Sequence, residues 1–231
     1  MELFYNENIS KKTLKFQIEG TENNHIINVL RKKEGDVLMF TNGKNYRFQT
    51  EIINLSKKTS ELKVLSCEKF LETDYLHIGI SILKSPSRFE IFLEKAVEIG
   101  INEITPIICK KTFKKNIKMD RCKKLIISAA KQSIKYQLPK LNNPVSFDNF
   151  IKSTNEKNRL IATCEELKKE YLNESFDKSK TNVLLIGPEG DFTKDELNKA
   201  GIHNFKYVSL GDTRLRAETA GIVSCAIFSM I

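Results

Sequence analysis

The sequence predicts an α/β protein with a small β-barrel domain at its amino-terminal end. Up to about residue 70, short apolar runs alternate with polar residues and turn signals, which is typical of antiparallel strands. From about residue 74, strand-like runs alternate with helical ones, which is typical of a parallel sheet covered by helices. We therefore divide the chain into residues 1–70 and 74–231, joined by the linker "EKFLETD" (68–74).

The amino-terminal region contains four runs of alternating apolar and polar residues, separated by turn signals such as "TNGKN" and "KKTS". A further stretch, "HIINVLR" (25–31), predicts a short helix in the same domain. The four predicted strands are "LKFQIEG" (14–20), "DVLMFTNG" (36–43), "YRFQTEIINL" (46–55) and "SELKVLSCEKF" (60–70).

The carboxyl-terminal region is predicted to alternate strands and helices in chain order. Capping-box spacing at Ser87/Glu90 and at Thr193/Glu196 predicts two helix starts, and Gly100 and Gly201 stand where those helices would end. The predicted strands are "LHIGISIL" (76–83), "ITPIICK" (104–110), "RLIATC" (159–164), "NVLLIGP" (182–188) and "FKYVSLG" (205–211). The predicted helices are "SRFEIFLEKAVEIG" (87–100), "MDRCKKLIISAAKQSIKYQ" (119–137), "TKDELNKAG" (193–201) and a terminal helix within "AETAGIVSCAIFSMI" (217–231).

Composition argues against several classes of protein. The five cysteines are scattered without a Cys-x-x-Cys pair and the three histidines are isolated, so we predict neither a disulfide framework nor a metal site. The longest apolar runs are too short to span a bilayer, and the start "MELFYNENISKK" lacks the features of a signal peptide. These observations predict a cytoplasmic protein that does not bind the membrane.

The positive charge is concentrated in one region. Residues 84–140 contain 14 Lys/Arg and 5 Asp/Glu, a local charge of +9 that equals the net charge of the whole chain. Within this region "CKKTFKKNIKMDRCKK" (109–124) interleaves cations with apolar side chains. Such a segment suits a surface that follows a phosphate backbone, and it equally suits a solvated lysine-rich face.

The loop "GPEGDF" (187–192) follows a predicted strand, at the end of the sheet where ligands of α/β proteins bind. Its glycines let a ligand approach the backbone closely, or they merely turn the chain. The loop lacks the Gly-Lys-Ser/Thr of a P-loop and the Gly-x-Gly-x-x-Gly of dinucleotide-binding proteins. A kinase or a dinucleotide-dependent enzyme is therefore disfavoured.

Two segments, "LLIGPEGDF" (184–192) and "VSLGDTRLRAETA" (208–220), resemble the paired signature of the RsmE family, the 16S ribosomal RNA uracil-N3 methyltransferases of the SPOUT superfamily. The resemblance extends through "LKSPSRFEIFLEKAVEIGINEITPII" (83–108), "AAKQSIKYQLP" (129–139) and "HIINVLRKKEGD" (25–36). It implies a PUA-like barrel followed by a SPOUT domain whose carboxyl end forms a trefoil knot. It also implies a homodimer that uses S-adenosylmethionine to methylate N3 of a uridine in 16S ribosomal RNA, with the RNA or the small ribosomal subunit as partner.

The resemblance and the charge pattern together suggest which residues act. Arg216 would orient RNA phosphate or stabilise the developing uracil anion, and Glu189 or Glu218 would accept the proton or pair structurally with Arg214 or Arg216. The residues expected at the cofactor are Thr163, Cys164, Leu185, Ile186, Gly187, Glu189, Gly190, Ser209, Leu210, Gly211, Leu215, Arg216 and Thr219. Those expected at RNA are Arg31, Lys32, Lys84, Arg88, Lys114, Lys115, Lys118, Lys124, Gln132 and Lys135, although Arg88 could instead pair with neighbouring acids and Gln132 could satisfy backbone groups.

Three positions depart from the family pattern. Asp191 stands where the family usually has a second glycine after "PEG", Arg214 stands where isoleucine is frequent, and Lys135 replaces a common arginine. A lysine binds phosphate as a point charge without the bidentate fork of arginine. Two other functions remain possible on the sequence: a SPOUT methyltransferase acting on a different RNA, and an RNA-binding module without catalytic activity.

Overall fold

A computed structural model of the protein describes residues 2–71 and 74–231, and within them the chain forms thirteen strands and seven α-helices. The residues group into two compact units. One comprises Met1–Glu72 and Ile127–Leu138, and the other comprises Thr73–Ile126 and Pro139–Ile231. The grouping of Ile127–Leu138 with the first unit is not expected from the sequence. Residues 72 and 73 of the expected linker lie outside the described residues.

The first unit is built on a five-stranded sheet in the order β1-β3-β4-β5-β2. β1 pairs with β3 in parallel and the other pairs are antiparallel. All four predicted strands are present, and the short β1 is additional. Helix α1 (Gly20–Asn24) continues into a π-type turn, His25–Val29, where the sequence predicted a short helix. The strands are β1 (Leu3–Tyr5), β2 (Lys15–Glu19), β3 (Val37–Thr41), β4 (Tyr46–Asn54) and β5 (Thr59–Lys69).

One apolar core holds this sheet together. Every strand contributes a side chain to it, among them Phe4, Ile18, Phe40, Phe48 and Leu62. Phe16 on β2 contacts Phe40 on β3 with ring centroids 5.1 Å apart, although the two strands are not neighbours in the sheet. The sheet therefore wraps around its core, as a small barrel does.

The second unit contains an eight-stranded sheet whose strand pairs are all parallel, as predicted. Its order is β11-β13-β10-β12-β6-β7-β8, and β9 also pairs with β7. The central strands are almost wholly buried because helices cover both faces of a parallel sheet. The strands are β6 (Tyr75–Ser81), β7 (Glu103–Ile108), β8 (Lys140–Leu141), β9 (Val145–Ser146), β10 (Asn158–Ala162), β11 (Glu170–Tyr171), β12 (Thr181–Ile186) and β13 (Lys206–Ser209).

Two of the four predicted helix ends are confirmed. Thr193 and Glu196 form the predicted capping box, and the first of the two predicted helices ends at Gly100. Gly201 does not end the second helix, which continues to Ile202 and has His203 as its C-cap residue. The capping box at Ser87 is wrong: Ser85 is the N-cap residue and Pro86 opens the helix, where its missing N–H costs no hydrogen bond. The helices are α2 (Pro86–Ile99), α3 (Met119–Gln132), α4 (Phe147–Ser153), α5 (Leu172–Ser175), α6 (Lys194–Ile202) and α7 (Ala217–Met230).

The carboxyl-terminal segment returns across the sheet. After β13, near one side of the sheet, the chain passes the carboxyl ends of β10 and β12 and enters α7, which packs on β6 and α2. A knotted carboxyl end, as the family resemblance implies, needs the chain to follow this path. The path also places residues 209–217 beside the loop 187–192. None of the helices formed by the described residues is long and apolar enough to cross a membrane.

Candidate active site

A cavity of about 820 Å³ opens at the carboxyl ends of β10, β12 and β13. Three loops that follow these strands and the start of α7 line it. Ten of the thirteen predicted cofactor residues are at its wall: Thr163, Cys164, Ile186, Gly187, Glu189, Ser209, Leu210, Gly211, Leu215 and Arg216. The other three lie outside the wall, because Leu185 belongs to the sheet core, Gly190 packs against Lys111, and Thr219 is on α7.

Asp191 connects two of the three loops. Its carboxylate accepts hydrogen bonds from the Thr163 hydroxyl at 2.9 Å, from the Cys164 backbone N–H at 2.8 Å and from the Phe192 backbone N–H at 2.7 Å. Its φ of +58° lies in the left-handed region that favours glycine and that aspartate tolerates better than most residues. At the position where the family usually has glycine, Asp191 thus links the loop after β10 to the loop after β12.

Glu189 is tied to the loop after β6. One of its carboxylate oxygens accepts the Lys84 backbone N–H at 2.9 Å, and its own carbonyl oxygen accepts a long bond of 3.5 Å from Arg214. The side chain therefore fastens the rim of the cavity. Lys111 fastens the same loop from the other side, donating to the carbonyl oxygens of Gly190 at 2.7 Å and Phe192 at 3.3 Å.

Glu218 is buried, and its side chain is 9% exposed. One carboxylate oxygen lies 3.6 Å from Nε of Arg88, which lines the cavity, and the other has no hydrogen-bond partner among the described residues. Arg88 is thus paired, but with Glu218, 130 residues away, and not with an acid near it in sequence. On the sequence alone, Arg214 and Arg216 are instead the candidate partners of Glu218.

Arg216 is the N-cap residue of α7 and its exposed side chain stands at the cavity wall. Among the residues that the structure describes, no carboxylate lies within ion-pairing distance of it. A cation at a helix amino terminus is unfavourable for the helix dipole, so this position suits an anionic ligand.

Sequence reasoning missed several residues of the cavity. Lys169 donates to the Thr163 carbonyl at 3.2 Å, and the Tyr171 hydroxyl donates to Asp212 at 3.3 Å. Both belong to the segment around β11, a strand of two residues that is too short to give a periodic signal. Leu167, Glu170, Asp212, Thr213 and Ala220 also line the cavity and are absent from the predicted set.

The predicted RNA residues are distributed over both units. Arg31, Lys32, Gln132 and Lys135 belong to the first, and Arg31 has a φ of +53° just beyond the π-type turn. Lys84, Lys114, Lys115, Lys118 and Lys124 are exposed on the second. No group of three His, Cys, Asp or Glu residues able to hold a metal occurs in the described ranges.

Two family models match the chain. An RNA methyltransferase domain matches residues 71–229 and an RNA methyltransferase PUA domain matches residues 18–65. The chain is also 31% identical over 208 residues to "Ribosomal RNA small subunit methyltransferase E" of Buchnera aphidicola subsp. Schizaphis graminum, covering 87% of this chain and 84% of that protein.

Solved structures show the same architecture. A probable rRNA-methyltransferase from Porphyromonas gingivalis has a TM-score of 0.90 and 34% identity, with 99% of this chain and 97% of that chain covered. A putative methyltransferase from Legionella pneumophila, in complex with the bound cofactor SAM, has a TM-score of 0.83 and 28% identity over 97% of this chain and 95% of that chain. The fold is thus a PUA-like domain followed by a SPOUT methyltransferase domain, as predicted. The chain belongs to the RNA methyltransferase family whose curated members are named ribosomal RNA small subunit methyltransferase E.

Proposed function

We propose that this protein transfers a methyl group from S-adenosylmethionine to N3 of a uridine in the 16S RNA of the small ribosomal subunit. The observation that carries the proposal is the cavity of about 820 Å³, which three strand-end loops build in a member of this family. A relative of the same fold binds this cofactor, and a curated relative is named for the small-subunit RNA.

The lining of the cavity fits S-adenosylmethionine. Ligand cavities of small molecules measure roughly 300–1,000 Å³ and combine apolar walls with a few polar groups. Ile186, Val208, Leu210 and Leu215 supply an apolar wall for an adenine ring. Gly211, where an added Cβ would have no atom within 4 Å, leaves the backbone of its loop open to a ligand. Thr163, Glu189 and Ser209 would face its polar parts.

The cofactor supplies an electrophilic methyl group. The protein must then hold the uracil in line, exclude water and stabilise the negative charge that appears as N3 loses its proton. We assign the stabilisation to Arg216, because it is the cavity-lining cation at the helix start without an acidic partner among the described residues.

Both candidate carboxylates already have a partner. Glu189 accepts the Lys84 N–H, and Glu218 lies beside Arg88. We therefore assign Glu218 the positioning of Arg88 at the cavity wall, and Glu189 the closure of the cavity rim. Removal of a buried partner leaves the remaining charge uncompensated, so loss of Glu218 would also disturb Arg88.

The Arg216→Ala variant tests the catalytic assignment. It should unfold within about 0.5 kcal/mol of the wild type, because an exposed residue without an ion pair is removed. Single-turnover methyl transfer should fall about 10²-fold, the scale for one preorganised electrostatic group. Unchanged transfer, or a large loss of stability, would contradict the assignment. Lys206→Ala, at an exposed cation at the start of β13 and outside the cavity lining, is the matched control.

The substrate is tested in cells. Ribosomal RNA from cells that lack the protein should miss one N3-methyluridine in its small-subunit RNA, and the wild-type chain should restore it while Arg216→Ala should not. Mass spectrometry of nuclease digests locates the base. A missing methyl group in another RNA would instead support a different RNA substrate, and a protein that fails to bind S-adenosylmethionine in calorimetry would be the RNA-binding module without activity.

We also propose that the protein acts as a cytoplasmic homodimer. The apolar helix α7 leaves Ile222, Val223, Ala226 and Ile227 only partly covered, and Met230 is 83% exposed. These positions follow helical spacing and form one apolar strip, which a second copy of the chain would cover. Sedimentation equilibrium should give twice the mass of the chain, and Ile227→Lys should shift it towards the monomer.

A further inference from the structure

The loop after β7 holds an aromatic ring in solvent. Phe113 is 73% exposed, although its neighbour Thr112 is buried. The Thr112 hydroxyl accepts the Cys109 backbone N–H at 2.8 Å and lies 2.8 Å from the Ser81 hydroxyl. Thr112 is thus anchored on both sides, and the ring of the next residue is exposed.

This ring lies beside the candidate active site. The ammonium group of Lys84 is 5.2 Å from the centroid of the Phe113 ring, and the backbone N–H of the same lysine is bound by Glu189 at the rim of the cavity. Lys111, two residues before Phe113, donates to the carbonyl oxygens of Gly190 and Phe192. The Phe113 ring therefore contacts a residue bound to the cavity rim, and the chain just before the ring is bonded to the loop 187–192.

The charges around the ring are available to a polyanion. Lys114 and Lys115 directly follow Phe113, are exposed, and form no ion pair with any described residue. The other cation close to the ring, Lys84, is likewise exposed. An exposed aromatic ring among unpaired lysines matches the surface that proteins present to single-stranded nucleic acid, where bases stack on rings and lysines meet phosphates.

We propose that Phe113 stacks on a nucleobase that flanks the target uridine, while Lys84, Lys114 and Lys115 contact the adjoining phosphates. The proposal rests on the proposed function, because it takes RNA as the substrate, and it adds a positioning residue to that reaction. A uracil must leave its stack before its N3 is accessible, and a ring at the rim would hold the neighbouring nucleotide in place of the missing stacking partner.

Binding measurements with two oligomers separate the contribution of base stacking on Phe113 from that of phosphate contacts. One probe is a single-stranded oligouridylate, and the other has the same sugar–phosphate chain without bases. Phe113→Ala should weaken binding of the oligouridylate about 5- to 150-fold, the range measured for removal of one base–aromatic stack, while its affinity for the abasic oligomer stays within about twofold. Phe113→Tyr should restore the affinity for oligouridylate. Equal losses for both oligomers, or no loss for either, would overturn the proposal.

Fluorescence provides a direct readout of the ring. The chain contains no tryptophan, so Phe113→Trp creates a single reporter. Oligouridylate should quench its emission and the abasic oligomer should leave it unchanged. Ile202→Trp is the control, since Ile202 is 79% exposed at the end of α6, which leads into the amino end of β13. Absence of quenching at position 113 would contradict stacking even if RNA binds.

A methyl-transfer assay distinguishes a failure of the stacking proposal from a failure of the proposed function. With unmethylated small-subunit RNA as substrate, Phe113→Ala should raise KM and leave the affinity for S-adenosylmethionine unchanged. If the wild type is active and the variant is equal to it in KM, the stacking role is wrong and the function stands. If the wild type neither binds nor methylates this RNA, both proposals fail.

Discussion

At the scale of single residues, Asp191 joins two of the loops that line the cavity. Its carboxylate bridges the loops after β10 and β12 through Thr163, Cys164 and Phe192. Hydrogen bonds to a charged acceptor contribute roughly 1.5–3 kcal/mol each, but their sum is reduced by solvent at a partly exposed site. The bridge should therefore matter more for the order of the two loops than for global stability.

We predict that Asp191→Ala weakens S-adenosylmethionine binding about tenfold and lowers the free energy of unfolding by about 2 kcal/mol. Thr163→Val, which removes one donor and keeps the shape, should show a smaller effect. In calorimetry and thermal unfolding, the double variant should differ from Asp191→Ala only by the loss of the 3.2 Å bond that the Glu165 backbone N–H donates to the Thr163 hydroxyl, because the Thr163–Asp191 bond is already broken. Additive effects would mean that the bridge is not shared.

The residues that meet in the site show what sequence reasoning can and cannot find. The glycine loops and Arg216 belong to contiguous segments whose residue types and spacing are visible in the chain. The contacts of Asp191 with Thr163, and of Glu218 with Arg88, join residues 28 and 130 positions apart. Such pairs depend on which strands are neighbours in the sheet, and local pattern does not determine the strand order.

At the scale of elements, the loop 187–192 leaves less space for a side chain at Gly187 than at Gly190. A Cβ on Gly187 would lie 3.1 Å from two ring atoms of Phe192 and 3.2 Å from its backbone nitrogen, so the backbone itself would have to shift. A Cβ on Gly190 would meet only the flexible side chain of Lys111, at 3.2 Å. The two glycines therefore offer a matched pair of substitutions within one loop.

We predict that Gly187→Ala reduces S-adenosylmethionine affinity at least about tenfold and costs 1–3 kcal/mol of stability, roughly the range for overpacking. Gly190→Ala should stay within about 0.5 kcal/mol of the wild type, since a lysine side chain can move aside. Calorimetry and chemical denaturation measure both quantities. Equal effects at the two glycines would show that close packing against Phe192 does not shape the loop.

The opposite end of the sheet carries a polar network that affects acid stability. Burial alone would raise the pKa of Glu103, but hydrogen bonds from Tyr75, Asn142 and Lys140 outweigh it and lower the pKa from 4.5 to about 2. A depressed pKa means that the folded state favours the ionised carboxylate. Its contribution is therefore complete above pH 4.5, the unfolded value, and is lost as the pH falls towards about 2.

We predict that Glu103 contributes about 3 kcal/mol at neutral pH, an upper figure for a shift of this size, and that this stability declines steadily below about pH 4.5. Glu103→Gln should flatten that part of the stability curve, measured by urea unfolding across the acid range. Glu166→Gln, at an exposed carboxylate, is the control and should leave the curve unchanged. An identical acid slope in the wild type and Glu103→Gln would refute the role of the network.

Element lengths explain which parts of the fold were predictable. The long strands and the helices α2, α3, α6 and α7 each show a clear apolar period or a cap. The missed strands β1, β8, β9 and β11 have two or three residues, too few for alternation to be visible. Helix α4 has seven residues, and its capping serine is the last residue of β9, so strand and helix signals overlap.

At the scale of the whole molecule, the ion pairs show which cations of the basic region 84–140 are neutralised by a carboxylate and which are not. Of the fourteen cations in residues 84–140, Arg88, Lys95, Lys110, Arg121, Lys131 and Lys140 each contact a carboxylate within the described parts of the chain. Among the described residues, the exposed cations that form no such pair are Lys84, Lys111, Lys114, Lys115, Lys118, Lys123 and Lys124. Most of the unpaired charge therefore lies in residues 111–124, the segment that contains Phe113.

We predict that changing Lys114, Lys115 and Lys118 together to glutamine weakens RNA binding and lowers the slope of log affinity against log salt by about 0.7 for each phosphate that the protein no longer neutralises. The control replaces Lys152, Lys157 and Lys206, three exposed lysines near the amino ends of β10 and β13, and carries the same change in net charge. If the first set binds phosphates, its slope falls by about 2 while the control keeps the wild-type slope, since distant charges are screened by salt. Equal slopes in the two variants would show that net charge alone attracts RNA, and the assignment of this segment as the RNA surface would be wrong.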